Sequence, residues 1–119
     1  MKYTEDHEWL RIEGDLIVVG ITEHAATQLG DVVFVELPEV EAMVGEGDEV
    51  VVIESVKAAS DILAPIDGEI VEVNDKLTDK PGLVNDDPLG AGWFFKMKVD
   101  DMSVIDGFMD EDEYMEMIG

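Results

Sequence analysis

The chain has 119 residues, of which 30 are Asp or Glu and only 7 are Lys or Arg, so its formal net charge at pH 7 is −23. A charge of this sign and size argues against nucleic acid and anionic membrane as partners. Hydrophobic residues make up 46% of the chain, which suffices for one folded domain spanning residues 1–119. The lack of cysteine excludes disulfides, thiol nucleophiles and cysteine-based metal sites.

The acidic residues are spread along the whole chain and do not form one block. Two interpretations stay open: a solvated, self-repelling surface suited to a salty cytoplasm, or steering toward basic docking sites on partner enzymes. No apolar run approaches the length of a membrane span. The N-terminus leads directly into the first motif and leaves no room for a signal or transit segment, so we expect a cytoplasmic protein, or a mitochondrial one only if a transit peptide was removed.

The first quarter of the chain predicts two strands and a short helix. Residues 3–15 are expected to form a lead-in strand that ends in a Glu-Gly-Asp turn, and residues 16–21 form a β-branched strand. Residues 22–29 predict a short helix, because Thr22 can serve as its N-cap and Gly30 suits the position that ends it.

The next segment predicts a strand and then a loop. Residues 31–37 are expected to form a strand that places Val33 and Val35 on one face and Val32 and Phe34 on the other. Pro38 ends this strand, and residues 39–48 predict a loop with two glycines that allow a tight reversal.

A hairpin with a lysine at its tip is predicted over residues 49–64. The β-branched run at 50–53 suits a strand covered on both faces, and a second apolar run begins at Ile62 and stops at Pro65. Lys57 lies at or beside the turn between the runs. It is the only basic residue between Arg11 and Lys76.

The remainder of the chain predicts two more strands, separated by a long loop, and a helical C-terminal segment. Residues 69–74 alternate as a strand, residues 76–92 are mostly loop with one helical turn near Pro81, and residues 93–99 form the last strand with Phe94 and Phe95 in the core or at its rim.

The segment from residue 103 to 118 is expected to be helical. Ser103 can cap a first short helix. Asp110 and Glu113 have capping-box spacing for a second helix, which docks on the strands through its apolar side chains. Those apolar side chains are Tyr114, Met115 and Ile118.

Neither histidine predicts a metal site. His7 and His24 are far apart in the sequence, and neither is accompanied by a second histidine or a carboxylate pair at ligand spacing. No serine–histidine–aspartate arrangement, phosphate loop or paired acid–base motif predicts catalysis by the chain itself.

Three interpretations of Lys57 remain open from the residues alone. An exposed lysine is most often solvated surface. A catalytic lysine needs a lowered pKa, whereas the nearby Glu54 and Asp61 favour the charged form, which argues against Schiff-base chemistry. A covalent attachment point needs a reachable amine on a flexible stem among small neighbours, which Ser55 and Ala58 provide.

The residues around Lys57 also resemble a known signature. Segment 54–61 (ESVKAASD) is similar to the lipoyl-attachment signature of the glycine cleavage system H-protein family. Six further segments resemble that family in order and spacing: residues 7–9 (HEW), 19–22 (VGIT), 28–38 (QLGDVVFVELP), 64–74 (APIDGEIVEVN), 83–88 (LVNDDP) and 92–93 (GW). One departure is Glu41, where the family usually has glycine, so we expect a slightly different turn there.

Two neighbouring families fit less well. Biotin carriers share the fold but place their lysine in an Ala-Met-Lys-Met setting, and Val44 stands where that lysine would be. Lipoyl domains of 2-oxoacid dehydrogenases usually have an acidic residue directly before the lysine, a position that Val56 fills here.

The resemblance implies a mainly β, barrel-sandwich lipoyl fold with short flanking helices. It implies a non-enzymatic carrier, monomeric, with lipoic acid in amide linkage on Lys57. The implied partners are a pyridoxal-phosphate glycine decarboxylase, a tetrahydrofolate-dependent aminomethyltransferase, a flavin dihydrolipoamide dehydrogenase and a lipoyl ligase or lipoyltransferase. Two alternatives stay open: a lipoyl relay or assembly protein of the same fold that serves another pathway, and an interaction module whose Lys57 is never modified.

The resemblance also implies a cleft that protects the loaded arm. Glu8 of the His-Glu-Trp motif would hold the cationic aminomethyl amine by a charge-assisted hydrogen bond. Ile21 and Ala25 would form the apolar wall, with Asp61 near the root of the arm. Glu54 and Asp61 are expected to act in recognition by the ligase or other partners.

Overall fold

The computed structural model describes residues 1–119, which form two antiparallel sheets with short helices beside them. The nine strands are β1 (Lys2–Tyr3), β2 (Glu8–Glu13), β3 (Leu16–Ile21), β4 (Val32–Glu36), β5 (Met43–Val44), β6 (Glu49–Ser55), β7 (Ala59–Leu63), β8 (Gly68–Val73) and β9 (Phe95–Lys98). The six-stranded sheet has the order β1-β2-β3-β9-β8-β5, and the three-stranded sheet has the order β4-β6-β7.

Four α-helices and one 3-10 helix complete the fold. They are α1 (Glu23–Leu29), α2 (Lys76–Asp79), α3 (Leu83–Asp86), the 3-10 helix (Met102–Gly107) and α4 (Glu111–Ile118). None of these helices is long and apolar enough to cross a membrane.

The main core is built from the inward side chains of both sheets. The predicted core residues Phe94 and Phe95 are both fully buried. Burying one side chain of this kind contributes about 1.5–3 kcal/mol, so the core supplies the main driving force for folding. Buried neighbours from the two sheets include Leu10, Ile17, Val19, Val51, Ile53, Ile70 and Met97.

The predicted caps of α1 and α4 are confirmed. The Thr22 side chain accepts a hydrogen bond from the backbone N–H of Ala25 at 3.3 Å, and Gly30 ends α1 with φ of 75°. The backbone N–H of Glu113 donates to Asp110 at 2.9 Å, and Glu113 accepts from the N–H of Asp110 at 3.3 Å. Each cap satisfies N–H groups that the helix leaves without a partner.

The prediction of one lead-in strand over residues 3–15 is wrong for its first half. The segment divides into β1 and β2, and residues 4–7 form a turn in which His7 adopts φ of 67°. The Thr4 hydroxyl accepts from the N–H groups of Asp6 and Glu8, each at 3.2 Å. This side-chain bonding offers the backbone an alternative to the strand ladder, which explains the break.

The alternation predicted for β4 is also wrong. Val32 and Val35 are buried, whereas Val33 and Phe34 are 54% and 47% exposed. The cause is a β-bulge, since Val32 pairs with Ser55 while Phe34 pairs with the next residue of β6. The extra residue places two successive apolar side chains on the outer face of the sheet.

The predicted hairpin is present as β6 and β7, with Lys57 in the connection. Val51 and Ile53 are fully buried, but Val50 and Val52 are only half-buried. The expectation that β6 is covered on both faces is therefore wrong, because nothing packs fully over the outer face of the three-stranded sheet.

The segments predicted as loops contain more structure than expected. Residues 39–48 include β5, which pairs with β8, and Glu41 adopts φ of 76°, a left-handed conformation that usually favours glycine. Residues 76–92 contain two helical turns, α2 and α3, on either side of Pro81. Both are too short to leave a periodic signal in the sequence.

Two details of the C-terminal segment differ from the prediction. Asp101, and not Ser103, caps the 3-10 helix, because its carboxylate accepts from the Ser103 N–H at 2.9 Å. Helix α4 docks through Tyr114, whose ring stacks on Tyr3 with centroids 4.8 Å apart. Met115 is 54% exposed and does not contribute to this docking.

Candidate functional site

Lys57 lies at the tip of the β6–β7 hairpin, and Ser55 shapes the turn that presents it. The Ser55 hydroxyl donates to the Ala58 carbonyl at 3.0 Å and accepts from the N–H groups of Lys57 and Ala58 at 3.2 and 3.1 Å. The N–H of Val56 donates to the carbonyl of Asp31, the residue before β4, at 3.0 Å, which ties the tip to the start of the neighbouring strand. The turn is thus held by side-chain and backbone bonds on both sides of the lysine.

The Lys57 side chain is exposed, and its aliphatic stem lies over Gly30. A Cβ atom at position 30 would be 3.1 Å from Cε and 3.3 Å from Cδ of Lys57, so glycine leaves the space that the stem uses. Gly30 also adopts φ of 75°, which favours glycine for a second reason. Lys57 forms no salt bridge, since both ion pairs of the chain involve Lys96.

Glu54 and Asp61 lie beside the tip on the outer face of the three-stranded sheet. Both are exposed, and neither forms an ion pair. Glu54 pairs with Ala59, and Asp61 pairs with Val52 two rungs further from the tip, so both acids lie on the same face. Their carboxylates are therefore available to a protein that approaches Lys57.

Glu8 is buried, with 2% of its surface exposed. Its carboxylate accepts from the backbone N–H of Leu63 at 3.0 Å and from the Thr4 hydroxyl at 3.3 Å. Burial raises the pKa of Glu8 to about 7. The hydrogen bond from the Leu63 N–H lowers this pKa, and the negative charge of Asp6 raises it further. Glu8 is therefore a buried carboxyl that titrates near neutral pH, and not an ordinary surface acid.

A cleft of about 390 Å³ opens in front of Glu8. We call it the Glu8 cleft, and its other walls are residues 3–6, 46–47, 63–65 and 107–109. The hairpin contributes the end of β7, and the C-terminal segment contributes Phe108 and Met109. The role of the C-terminal segment in this cleft has no local signal in the sequence.

The two residues expected as the apolar wall, Ile21 and Ala25, do not line the Glu8 cleft. Ile21 is opposite Glu8 in the β2–β3 register and is 1% exposed, as part of the main core. Ala25 is half-buried on α1 and packs against that core. Lys57, Glu54 and Asp61 are also outside the lining of the cleft.

The structure brings the two histidines together, which their sequence separation did not suggest. The rings of His7 and His24 are 4.9 Å apart between centroids. The Tyr114 hydroxyl is 2.8 Å from Nδ1 of His7 and 2.7 Å from the Thr22 hydroxyl, so α4 is anchored beside the His-Glu-Trp turn. Burial lowers the pKa of His7, and the positive charge that His24 can carry lowers it further.

The comparisons with known proteins agree on one family. The family model described as glycine cleavage H-protein matches residues 1–119. A crystal structure of a glycine cleavage system H protein from Mycobacterium marinum is 40% identical in sequence and superposes with a TM-score of 0.89. That match covers 99% of this chain and 95% of the other chain.

These comparisons confirm the predicted fold. The chain is mainly β, with two antiparallel sheets and a few short helices, and matches the barrel-sandwich lipoyl-domain fold of the H protein. The match extends over both sheets and the C-terminal helices, because it covers nearly the whole chain. The chain belongs to the glycine cleavage H-protein family.

Proposed function

We propose that the chain carries lipoic acid in amide linkage on Lys57 and shuttles the aminomethyl group of glycine from the decarboxylase to the aminomethyltransferase. The observation that carries this proposal is the exposed Lys57 at a hairpin tip whose turn is fixed by Ser55. Membership of the H-protein family, which consists of lipoyl carriers and not catalysts, supports it.

The residues at the tip fit such a group. The amine stands on a flexible stem, its neighbours Ala58 and Ala59 are small and exposed, and no carboxylate is paired with it. The lipoyl group supplies a disulfide whose sulfur can accept the aminomethyl group. The chain itself anchors the arm and orients it.

Glu8 is the residue we assign to protection of the charged arm. It faces a cleft large enough for a small substituent, and two of its acceptor positions are already used by Leu63 and Thr4. A carboxylate has further lone pairs, and a partly desolvated one binds an ammonium group strongly. In its ionised form, Glu8 would accept a hydrogen bond from the amine and keep water away from it.

The other site residues complete this proposal. Ile21 pairs with Glu8 from the adjacent strand, and Ala25 packs against the main core from α1. Asp61 stands four residues beyond Lys57, near the root of the arm, and Glu54 lies on the same exposed face. We assign Glu54 and Asp61 to recognition by the lipoyl ligase or lipoyltransferase.

The proposed partners are the pyridoxal-phosphate glycine decarboxylase, the tetrahydrofolate-dependent aminomethyltransferase and the flavin dihydrolipoamide dehydrogenase. Residues 1–119 would serve as one lipoyl-carrier domain and act as a monomer. Three different active sites must accept the same arm, which favours an attachment point that projects from the domain, as the hairpin tip does.

The test combines mass measurement with a partner assay. The purified chain is incubated with lipoic acid, ATP and a lipoate–protein ligase, and its intact mass is compared with that of Lys57→Arg. The lipoylated chain should then support exchange of bicarbonate into glycine by glycine decarboxylase. Absence of any lipoyl mass increment would remove the carrier function, and a lipoylated chain without exchange activity would indicate a relay for another pathway.

A further inference from the structure

Three exposed apolar side chains lie on the β4 bulge and in the turn that carries Lys57. Val33, Phe34 and Val56 are 54%, 47% and 66% exposed, and we call them the apolar patch. The outer face of an antiparallel sheet is ordinarily polar, so adjacent exposed apolar residues there are unusual. The β4 bulge creates the patch, because it turns both Val33 and Phe34 outward.

The apolar patch lies at the end of the three-stranded sheet that carries the hairpin tip. Phe34 pairs with Glu54, and Val56 bonds to the residue just before β4, at the Asp31 carbonyl. Strand β4 is an edge of its sheet, with a partner on one side only. A protein that covers Lys57 would therefore cover the apolar patch as well.

The charges around the patch indicate the chemistry of its partner. Asp31, Glu36 and Glu54 are exposed around it, and Lys57 is the only basic residue on the strands β4, β6 and β7 and their connections. A second copy of the chain would bring the same carboxylates together at a net charge of −23, which opposes self-association. The complementary surface has a basic rim around an apolar pocket.

We propose that the apolar patch is the docking surface for the enzyme that acylates Lys57. This inference rests on the proposed function. The unmodified lysine is short, so its acylating enzyme must contact the hairpin tip itself, whereas later partners are reached by the longer lipoyl arm. Aromatic residues are enriched in the cores of protein interfaces, where binding hot spots cluster, and polar residues form the rim, so Phe34 with its neighbouring carboxylates suits such a surface.

The reaction that this docking serves is amide formation from an activated lipoyl donor, such as a lipoyl adenylate. Nζ of Lys57, in its neutral form, attacks the acyl carbon. The new C–N bond replaces the C–O bond to the phosphate, AMP leaves, and the amine releases one proton. The apolar patch takes no part in these steps and acts only by holding the two proteins together.

The test uses threonine substitutions, because threonine keeps the β-branched shape that suits a strand. The variants are Val33→Thr with Phe34→Thr, and separately Val56→Thr. The matched control is Ile12→Thr, since Ile12 is 53% exposed but lies on β2 of the other sheet. If the double variant loses stability, Val56→Thr still tests the patch, because Val56 is in the turn and is the most exposed of the three residues.

Two quantities are measured with a purified lipoate–protein ligase, ATP and lipoic acid. The first is the KM and kcat of Lys57 acylation, followed by intact mass. The second is the dissociation constant of the ligase for the same variants made in a Lys57→Arg background, which prevents turnover. We expect the double variant to raise KM and the dissociation constant about tenfold with kcat unchanged, and Ile12→Thr to have no effect.

Three outcomes would overturn the proposal. If wild type is acylated and all folded variants have the same KM as wild type, the patch is not a docking surface, although the carrier function stands. A defect seen only with glycine decarboxylase, after full lipoylation, would assign the patch to another partner. A wild-type dimer that the double variant dissociates in sedimentation would assign it to self-association. Failure of wild type to be acylated would instead contradict the proposed function.

Discussion

The backbone N–H of Leu63 donates to the buried carboxylate of Glu8 at 3.0 Å, which joins the end of the lysine hairpin to the start of β2. The two residues are 55 positions apart in the chain. Because this bond spans the two sheets, the cleft in front of Glu8 and the strand that carries Lys57 are held in one framework. A change at Glu8 should therefore affect both the cleft and the base of the hairpin.

The first prediction concerns the attachment residue. Lys57→Arg should abolish lipoylation and leave the melting temperature unchanged, because Lys57 is exposed and forms no ion pair. Arginine keeps the positive charge, but its guanidinium is not an acylatable amine at working pH. Peptide mass mapping is the measurement, and lipoylation that persists in the variant would place the site on another lysine.

The second prediction concerns Glu54 and Asp61. Glu54→Gln or Asp61→Asn should slow lipoylation several-fold and change stability by less than about 0.5 kcal/mol, because exposed carboxylates contribute little to folding. The control Glu116→Gln removes one exposed charge from α4 and should leave both quantities unchanged. A sharp fall in melting temperature without a change in lipoylation rate would show that the acids are structural.

The third prediction concerns protection of the loaded arm. In the lipoylated chain charged with the aminomethyl group, Glu8→Ala should release ammonia and formaldehyde faster than wild type when the aminomethyltransferase is absent. The reason is loss of the carboxylate that holds the amine in the Glu8 cleft. Reoxidation of the uncharged arm by dihydrolipoamide dehydrogenase is the control and should stay normal. Equal release rates in the two proteins would remove Glu8 from the site.

The fourth prediction concerns the pH dependence of stability. The pKa of Glu8 is raised from 4.5 to about 7, so the folded protein favours the protonated form. The stability due to this protonation is fully present below about pH 4.5 and is lost as pH rises through about 7. At pH 8 the ionised group should therefore destabilise the fold by about 3 kcal/mol.

The variant Glu8→Gln isolates this effect, because glutamine does not titrate. Its free energy of unfolding, compared with wild type, should rise by up to about 3 kcal/mol between pH 4.5 and 8. His7 contributes with the opposite sign, since its pKa is lowered, but it is present in both proteins and its contribution cancels in the difference. Parallel stability curves for the two proteins across this range would contradict the shifted pKa of Glu8.

The fifth prediction concerns the acidic surface. Only Lys96 pairs with carboxylates, at 2.8 Å from Glu13 and 3.7 Å from Glu72, so nearly all acids repel one another without a partner. At pH 7 the melting temperature should rise as salt is added, because the Debye length falls to about 10 Å at 0.1 M. Near pH 4.1, the isoelectric point, the effect of salt should be small. A melting temperature that is insensitive to salt at pH 7 would instead favour steering of partners as the role of the charge.

The sequence by itself determined the features that depend on neighbouring residues. The side chains of Thr22 and Asp110 each accept from an N–H group three residues away, so their caps could be predicted from spacing. The strand β3 follows from its β-branched run, and the hairpin follows from two apolar runs on either side of Lys57. The family resemblance rested on the same local segments.

Only the tertiary structure decided which of these residues meet. The burial of Glu8 depends on Leu63, the anchor of α4 depends on His7 and Thr22, and the outward position of Phe34 depends on a bulge against β6. Each is a contact between segments far apart in the chain. Local periodicity carries no information on such contacts, because they are set by how the two sheets and the C-terminal helix pack together.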